Sequence, residues 1–386
     1  MRKYFEMKSI LNKIFYFLSL LLAVMLFLPF VSRQFYLLQV GNLWHLRIFY
    51  VFFLSFFISY VLVPICIYLG HRLKILDYPG ENRIHKVPTP RTGGLAVFVA
   101  FLVVVLRNFK FSTELVGILL ASSMMFILGF LDDIFSLPAT GRLVIQIICG
   151  VVLCIFGVRL SFVPHIYGEE IVESILTVLW CILISNAYNF LDGMDGLVSG
   201  VAVINCIFFG IIMWQLRQEF TAYVAGSLGG SCLGFLCYNF PPARVFLGDS
   251  GSTFVGFILA SIAVSGSWAE NNPLVALSVP LIILGISVFD IIYTSIARLY
   301  TKRVRNILEL LPYRGKDHIH HRLSNIGFSN KQVLSFVCLV SLFLGLLAII
   351  MRESQKGFVA LISLLAVIVF FLIIMFLMLV GAKRKN

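Results

Sequence analysis

The fold class predicted by this sequence is all-α, a polytopic bundle of transmembrane helices, and three observations carry it. The 386-residue chain is 60% hydrophobic and only 12% charged, with a mean hydropathy of +0.98. A water-soluble domain of that length cannot hide so much apolar surface. Apolar runs of the roughly 17–25 residues that a bilayer requires recur from end to end. No stretch rich in Pro, Gly or Ser interrupts them, so residues 1–386 read as one membrane domain.

The formal net charge of +12 would suit nucleic acid. The basic residues sit at the ends of apolar runs, however, where the positive-inside rule accounts for them, so no nucleic-acid partner is expected. The eight cysteines (66, 149, 154, 181, 206, 232, 237 and 338) all lie in apolar runs without a Cys-x-x-Cys pair. They read as small hydrophobes, not as a disulfide framework or a zinc site.

In chain order the runs fall near 13–32, 47–70, 92–109, 115–131, 143–161, 172–189, 196–214, 221–238, 252–268, 275–299, 332–351 and 357–381. That predicts about 11–12 spans. The first, behind a basic N-terminus with no small-residue cleavage site, reads as a retained span. Those near 115–131 and 252–268 are short enough to be tilted, partial or buried in the bundle. The loops sort by parity: connections after spans two, four, six, eight and ten share one face with both termini. Most of the Lys and Arg fall there, which makes that face cytoplasmic. All eight aspartates (77, 132, 133, 192, 195, 249, 290 and 317) also fall on or near it. Solvation alone would scatter aspartate over both faces, so the bias argues for one assembled site.

The loop after span six, Asn186-Ala-Tyr-Asn-Phe-Leu-Asp-Gly-Met-Asp-Gly-Leu197, holds the most informative acids. A carboxylate at the centre of a membrane helix costs roughly 2.5–3.5 kcal/mol on insertion scales. Asp192 and Asp195 therefore belong at a membrane surface or in a wet cavity, and three residues apart they would share one face of a helical turn. A short polar loop between spans is the bland alternative.

After span two, Pro79, Pro88 and Pro90 stiffen a loop carrying Arg83, His85, Lys86 and Arg91. Thr92-Gly93-Gly94 then opens a helix whose free N–H groups favour anions; simple attraction to anionic lipid is the competing account. After span four, the adjacent carboxylates of Asp132 and Asp133 repel each other unless a cation is near. Arg142 suits either a counter-ion or a phosphate clamp. After span eight, Gly248-Asp249-Ser250-Gly251-Ser252 precedes an apolar helix, so Asp249 or Ser250 serves as an N-cap or Asp249 as an oxygen ligand for a hard cation. After span ten come Arg298, Lys302, Arg303, Arg305, Arg314 and Lys316, then His318-Ile-His-His-Arg322. With so much positive charge and no cysteine, this loop suits anions better than zinc.

Together the five loops resemble the polyprenyl-phosphate N-acetylhexosamine-1-phosphate transferases. The pieces are Asp77-x-Pro79…Arg83…His85…Pro88-x-Pro90-Arg91-x-Gly93-Gly94, Asp132-Asp133…Leu137, Asn186-x-x-Asn189-x-x-Asp192-Gly-x-Asp195-Gly196, Phe246-x-Gly248-Asp249-Ser250-Gly251-Ser252 and His318-x-His320-His321. They run in order over about residues 48–350, leaving 1–47 as an extra N-terminal span. Pro-x-Pro-Arg-x-Gly-Gly and His-x-His-His-Arg-Leu look closest to the undecaprenyl-phosphate N-acetylglucosamine-1-phosphate transferases. The alternatives are the phospho-N-acetylmuramoyl-pentapeptide transferase of peptidoglycan synthesis and, in another class, a transporter of lipid-linked or nucleotide sugars. A transporter would want its acids near the midplane on broken helices, not in end loops. The chain departs from the family where Arg83-Ile84-His85 lacks a second basic residue and where Arg142 replaces the usual Lys.

The resemblance implies a multi-pass enzyme of the cell membrane, with cytoplasmic active-site loops, that supplies cell-surface polysaccharide synthesis. It implies transfer of N-acetylhexosamine-1-phosphate, expected as N-acetylglucosamine-1-phosphate, from a UDP-sugar to undecaprenyl phosphate, with release of UMP. It implies Mg²⁺ as cofactor, with Mn²⁺ as substitute, held by Asp249 and Asn189. Asp132 or Asp133 would engage or deprotonate the lipid phosphate, and Asp192 and Asp195, with Asn186, would hold the nucleotide or order the site. Arg91, Arg142, Arg303, Arg305, His318, His320 and His321 would bind the phosphates and sugar. The expected partners are the two substrates and the bilayer, with a homodimer as one oligomeric option.

Overall fold

The computed structural model describes residues 2–27, 44–79, 87–108, 112–160, 169–268, 273–305 and 317–353, with single positions between 309 and 315 and between 361 and 372. Arg83, His85, Lys86, Arg314 and Lys316 lie outside the described residues, as does most of the run 357–381.

The helices are α1 (Arg2–Phe27), α2 (Trp44–Arg72), α3 (Gly93–Asn108), α4 (Thr113–Phe135), α5 (Ala139–Ile155), α6 (Glu169–Leu191), α7 (Leu197–Gln215), α8 (Glu219–Asn239) and α9 (Gly248–Ser265). They continue with α10 (Pro273–Ile283), α11 (Gly285–Tyr300), α12 (Ile319–Asn325) and α13 (Asn330–Glu353). Two-residue strands β1 (Leu76–Asp77) and β2 (Thr89–Pro90) pair antiparallel between α2 and α3. Seven of the described helices are long and apolar enough to cross a membrane, or eight with the bent pair α10–α11. The all-α membrane bundle is as expected, and α3 and α5 are shorter apolar helices within it.

Local sequence explains the element ends. Ser112 caps α4, its hydroxyl accepting the Leu115 N–H at 3.2 Å. Ser329 and Gln332 open α13, the Gln332 side chain accepting the Ser329 N–H at 2.9 Å.

The centre of the bundle is α9, the helix expected to be short. Small residues let neighbours approach its backbone. A Cβ added at Gly94 of α3 would lie 2.5 Å from the Gly251 nitrogen, and one at Gly129 of α4 would lie 2.5 Å from the Asp249 carbonyl oxygen. Phe98 on α3 and Phe126 on α4 stack at 4.1 Å, and Phe254 of α9 meets Phe98 edge-on at 5.3 Å. The outer faces present Phe53, Ile127, Leu179 and Leu346 to the surroundings, as lipid contact requires.

The run 275–299, expected as one span, is not straight. It breaks at Leu284 with an 85° bend between α10 and α11. Pro280 removes one ladder donor and Gly285 weakens the join. The Leu284 carbonyl at the join accepts the Val288 N–H at 3.1 Å and the Ser287 hydroxyl at 2.8 Å. The turn has a purpose in packing: α11 carries Asp290, Thr294 and Arg298 on one face, and bending buries all three in protein.

Candidate active site

Loops far apart in sequence meet at one end of the bundle. The 240–247 loop is stitched to the start of α3: Gly93 and Gly94 N–H groups donate to the Phe246 and Leu247 carbonyls, and the Phe246 N–H donates to the Pro90 carbonyl. Asn239 fixes the loop from the other side, its carbonyl accepting the Gly196 N–H at 2.8 Å and its amide donating to the Val245 carbonyl at 2.8 Å.

The first turn of α9 is capped from another helix. Asp133, at the end of α4, accepts the Asp249 N–H on Oδ1 at 2.9 Å and the Ser250 N–H on Oδ2 at 3.0 Å. Neither Asp249 nor Ser250 supplies the cap from its own side chain, which leaves the Asp249 carboxylate unused by the helix. Gly248 makes this possible. It sits at φ +78°, a left-handed backbone, and a Cβ there would lie 2.7 Å from Asp133 Oδ2.

Asp132 lies close to the Asp249 carboxyl but is also engaged on its other side. Its Oδ1 accepts the Leu137 N–H at 2.6 Å and its Oδ2 binds Arg142 Nη1 at 2.8 Å, which pins the turn into α5. Arg142 is therefore a counter-ion in this structure. Arg91 reaches Asp77 at 3.3 Å and Asp133 at 4.0 Å, a guanidinium shared by two acids of the rim.

Asp192 and Asp195 do not share a helical face. Residues 192–196 form a turn between α6 and α7, opened by Gly193 and by Gly196 at φ +75°. Asp192 turns towards α9. Burial pushes its carboxyl well above the usual range, and the charges of Asp249 and Asp133 push it further, with Arg91 and the Gly248 backbone opposing. Asp195 turns the other way and accepts the Ala243 N–H at 3.0 Å. It lines a cavity of about 530 Å³ with Thr89, Phe246, Asn330 and Lys331. Asn189 joins the acid side, its Oδ1 accepting the Ser252 hydroxyl at 3.2 Å. Asn186 does not: it exchanges hydrogen bonds with Gln146 at 2.9 and 3.3 Å, tying α6 to α5.

The donor set fits a hard divalent cation. Asp249, Asp192 and Asn189 offer oxygens, and crowded like charges are what such an ion relieves. Among the described residues no three His, Cys, Asp or Glu side chains already converge as ligands. Mg²⁺ does not require that, since it keeps waters and takes one or two carboxylates plus substrate phosphates.

The histidine turn packs against this rim. His318 stacks on Phe190 at 5.0 Å, and the His320 and His321 rings lie 4.2 Å apart. His320 is buried with neither ring nitrogen hydrogen-bonded. Burial holds its pKa well below the ordinary value, aided by His321 and His318. Arg298 forks onto Asp317 at 2.6 and 2.9 Å. Arg303 stands 3.8 Å from Asp317 with its side chain 56% exposed, and the Arg305 N–H donates to Glu309 at 2.7 Å.

Several partnerships here escaped sequence reasoning, among them that Arg298, expected with the anion-binding loop, is taken up by Asp317. Asn239, Gln146, Asp290 and Arg298 work through partners that spacing does not reveal. Phe246 and Lys331 become candidates only because a cavity forms beside them.

Residues 115–267 match the family described as Glycosyl transferase family 4. The chain is 28% identical over 342 residues to a probable undecaprenyl-phosphate N-acetylglucosaminyl 1-phosphate transferase of Bacillus subtilis, covering 87% of this chain and 92% of that one. It is 31% identical over 314 residues to the decaprenyl-phosphate N-acetylglucosaminephosphotransferase of Mycobacterium leprae, covering 72% and 77%. It is 26% identical over 324 residues to a phospho-N-acetylmuramoyl-pentapeptide-transferase of Caldicellulosiruptor bescii, covering 78% and 96%. A membrane bundle whose five acid- and histidine-bearing loops converge, and whose sequence aligns over most of the length of such relatives, belongs to the polyprenyl-phosphate N-acetylhexosamine-1-phosphate transferases of glycosyl transferase family 4.

Proposed function

We propose that this enzyme transfers N-acetylglucosamine-1-phosphate from UDP-N-acetylglucosamine to undecaprenyl phosphate on the cytosolic face of the cell membrane. The observation that carries the reading is Asp133 clasping the first turn of α9, which sets Asp249 beside Asp192, with Asn189 bonded to Ser252 of the same turn.

An oxygen of the lipid phosphate attacks the sugar-bearing phosphorus of the UDP-sugar. The bond to the uridine phosphate breaks, UMP leaves, and a lipid-pyrophosphate-sugar remains. Such transfers need positioning and charge neutralisation more than covalent chemistry. Asp249, Asp192 and Asn189 would hold Mg²⁺, which would supply neutralisation of the pyrophosphate charge.

This chain's residues do the rest. Asp133 and Arg91 hold the first turn of α9 in place, and Asp132 with Arg142 holds the adjoining rim where the lipid phosphate enters. The cavity beside Asp195 takes the nucleoside, the Phe246 ring offering a stacking face and Lys331 a positive charge. His320, His321, Arg303 and Arg305 face the sugar phosphate. The lipid tail lies in hydrocarbon against the bundle while its phosphate stays at the interface. The concentration of Lys and Arg on the loop face supports a cytosolic site.

Purified enzyme incubated with UDP-N-acetylglucosamine, undecaprenyl phosphate and Mg²⁺ should release UMP, and a chelator should stop it. No UMP from a folded sample with any UDP-N-acetylhexosamine would overturn the proposal. Preference for the UDP-muramoyl-pentapeptide would move the chain to the peptidoglycan branch.

A further inference from the structure

Asp290 has no part in the reaction described above, yet it is 1% exposed on α11. A carboxylate is kept at such a position only when its oxygens are hydrogen-bonded. Asp290 Oδ1 accepts the Ile319 N–H at 2.7 Å, and Oδ2 lies 2.8 Å from His318 Nδ1. The other ring nitrogen, Nε2, lies 3.1 Å from Arg298 Nη2. A guanidinium has donors only, so Nε2 must accept. The single ring proton therefore sits on Nδ1 and is donated to Asp290. Arg298 is itself immobilised by its fork onto Asp317, so His318 has one tautomer and one orientation.

That orientation reaches the acid rim by two routes. The His318 ring stacks on Phe190, which lies between Asn189 and Leu191 and just ahead of Asp192. It also runs parallel to His320, 6.0 Å away with 5° between the planes. His320 in turn abuts Gly193, where an added Cβ would overlap its Nε2. The unpartnered, buried nitrogens of His320 thus lie against the Asp192–Asp195 loop because the ring beside it is held.

We propose that Asp290 is a positioning residue for the transfer step, acting through the Nδ1–H tautomer of His318 to hold the His318–His321 turn against the Asp192–Asp195 loop. The inference rests on the transferase reading. Asp290→Asn isolates it from simple packing. The Asn carbonyl still accepts the Ile319 N–H, but its amide can only donate to Nδ1. That forces the proton onto Nε2, pointing at Arg298. Shape and helix capping survive while the tautomer is lost.

The test measures UMP release by wild type, Asp290→Asn, His318→Ala and the double variant in one detergent. Asp290→Asn should lower kcat roughly 10- to 100-fold, with KM for the UDP-sugar within about twofold. The double variant should fall no further than His318→Ala alone, because both remove one device. Asp290→Asn turnover within about twofold of wild type, or losses that multiply in the double variant, would overturn the inference. Should Asp290→Asn not fold, ¹⁵N NMR of wild type decides, with the His318 signals identified by their absence in His318→Ala. Protonated Nδ1 with bare Nε2 is expected; a proton on Nε2 overturns the inference. A silent wild type would defeat the transferase reading itself, whereas an active wild type beside an unimpaired Asp290→Asn defeats only this inference.

Discussion

The acid rim and the histidine turn lie side by side but are built on opposite electrical plans. Around α9, Asp133, Asp192 and Asp249 crowd together with Arg91 as a guanidinium they share. Around α11, Asp290, His318, Arg298 and Asp317 form a closed chain in which each group meets its complement. Among the described residues the rim has fewer positive groups than carboxylates, which suits a bound cation. The turn is complete in itself and serves as a fixed wall. A site for a divalent ion and a pyrophosphate needs both, since the ligand supplies charge to one and takes orientation from the other.

Breaking the rim should have the largest effect. Asp249→Asn keeps the shape but removes the oxygen charge not used by the helix. If Asp249 carries the ion, several kcal/mol of transition-state stabilisation go with it, on the order of 10³-fold in kcat. The melting temperature should hold. Turnover that survived would make Asp249 a bystander and move the ion elsewhere.

Asp133→Ala should damage the same place through stability. It leaves the Asp249 and Ser250 N–H groups without acceptors in a buried setting, at about 1–3 kcal/mol each. Thermal melting in detergent should drop by several degrees, and activity should fall with it. Asp133→Asn, which restores one acceptor, should lie between.

The turn should be sharpened by acid. Burial alone would raise the Asp317 carboxyl, but the hydrogen bonds and charge of Arg298 outweigh it and hold the pKa below the usual range. A depressed folded value means the stabilisation is complete above the ordinary aspartate range, near about 4. It is lost only as pH falls through the lower folded value. The melting advantage of wild type over Asp317→Asn should therefore be constant at neutral pH and shrink only in strong acid. An advantage that already faded near pH ~6 would contradict the depressed value.

The smallest effect belongs to Arg303→Ala. Its side chain is 56% exposed and 3.8 Å from Asp317, so its removal should cost no more than a few tenths of a kcal/mol, about what an exposed pair contributes. Any change should appear in KM for the UDP-sugar, and a large loss of stability would mean the turn is less self-contained than its contacts imply.

How much of this was readable from the chain follows the same division. Helix positions were legible because apolar runs report the bilayer directly. The convergence of the aspartate loops was legible because parity and charge placed them on one face. Partnerships were not. Asp133 lies in a loop that spacing marks as acidic, but nothing in spacing says that it caps a helix 116 positions later. Asn186 carries the right side chain for a nucleotide, yet Gln146 occupies it. The 85° bend looked like a continuous run because Leu284 and Gly285 are apolar. Only the buried polar face of α11 explains why straightness loses.

The cap on α9 also ties chemistry to hydrocarbon. Asp133 belongs to α4, whose opposite side carries exposed Ile127 and Leu131, while its carboxylate grips the residue proposed to hold the ion. A shift of α4 along the membrane normal must drag Asp249 with it. Turnover should therefore respond to acyl-chain length in the surrounding lipid, which activity in bilayers of different thickness would check.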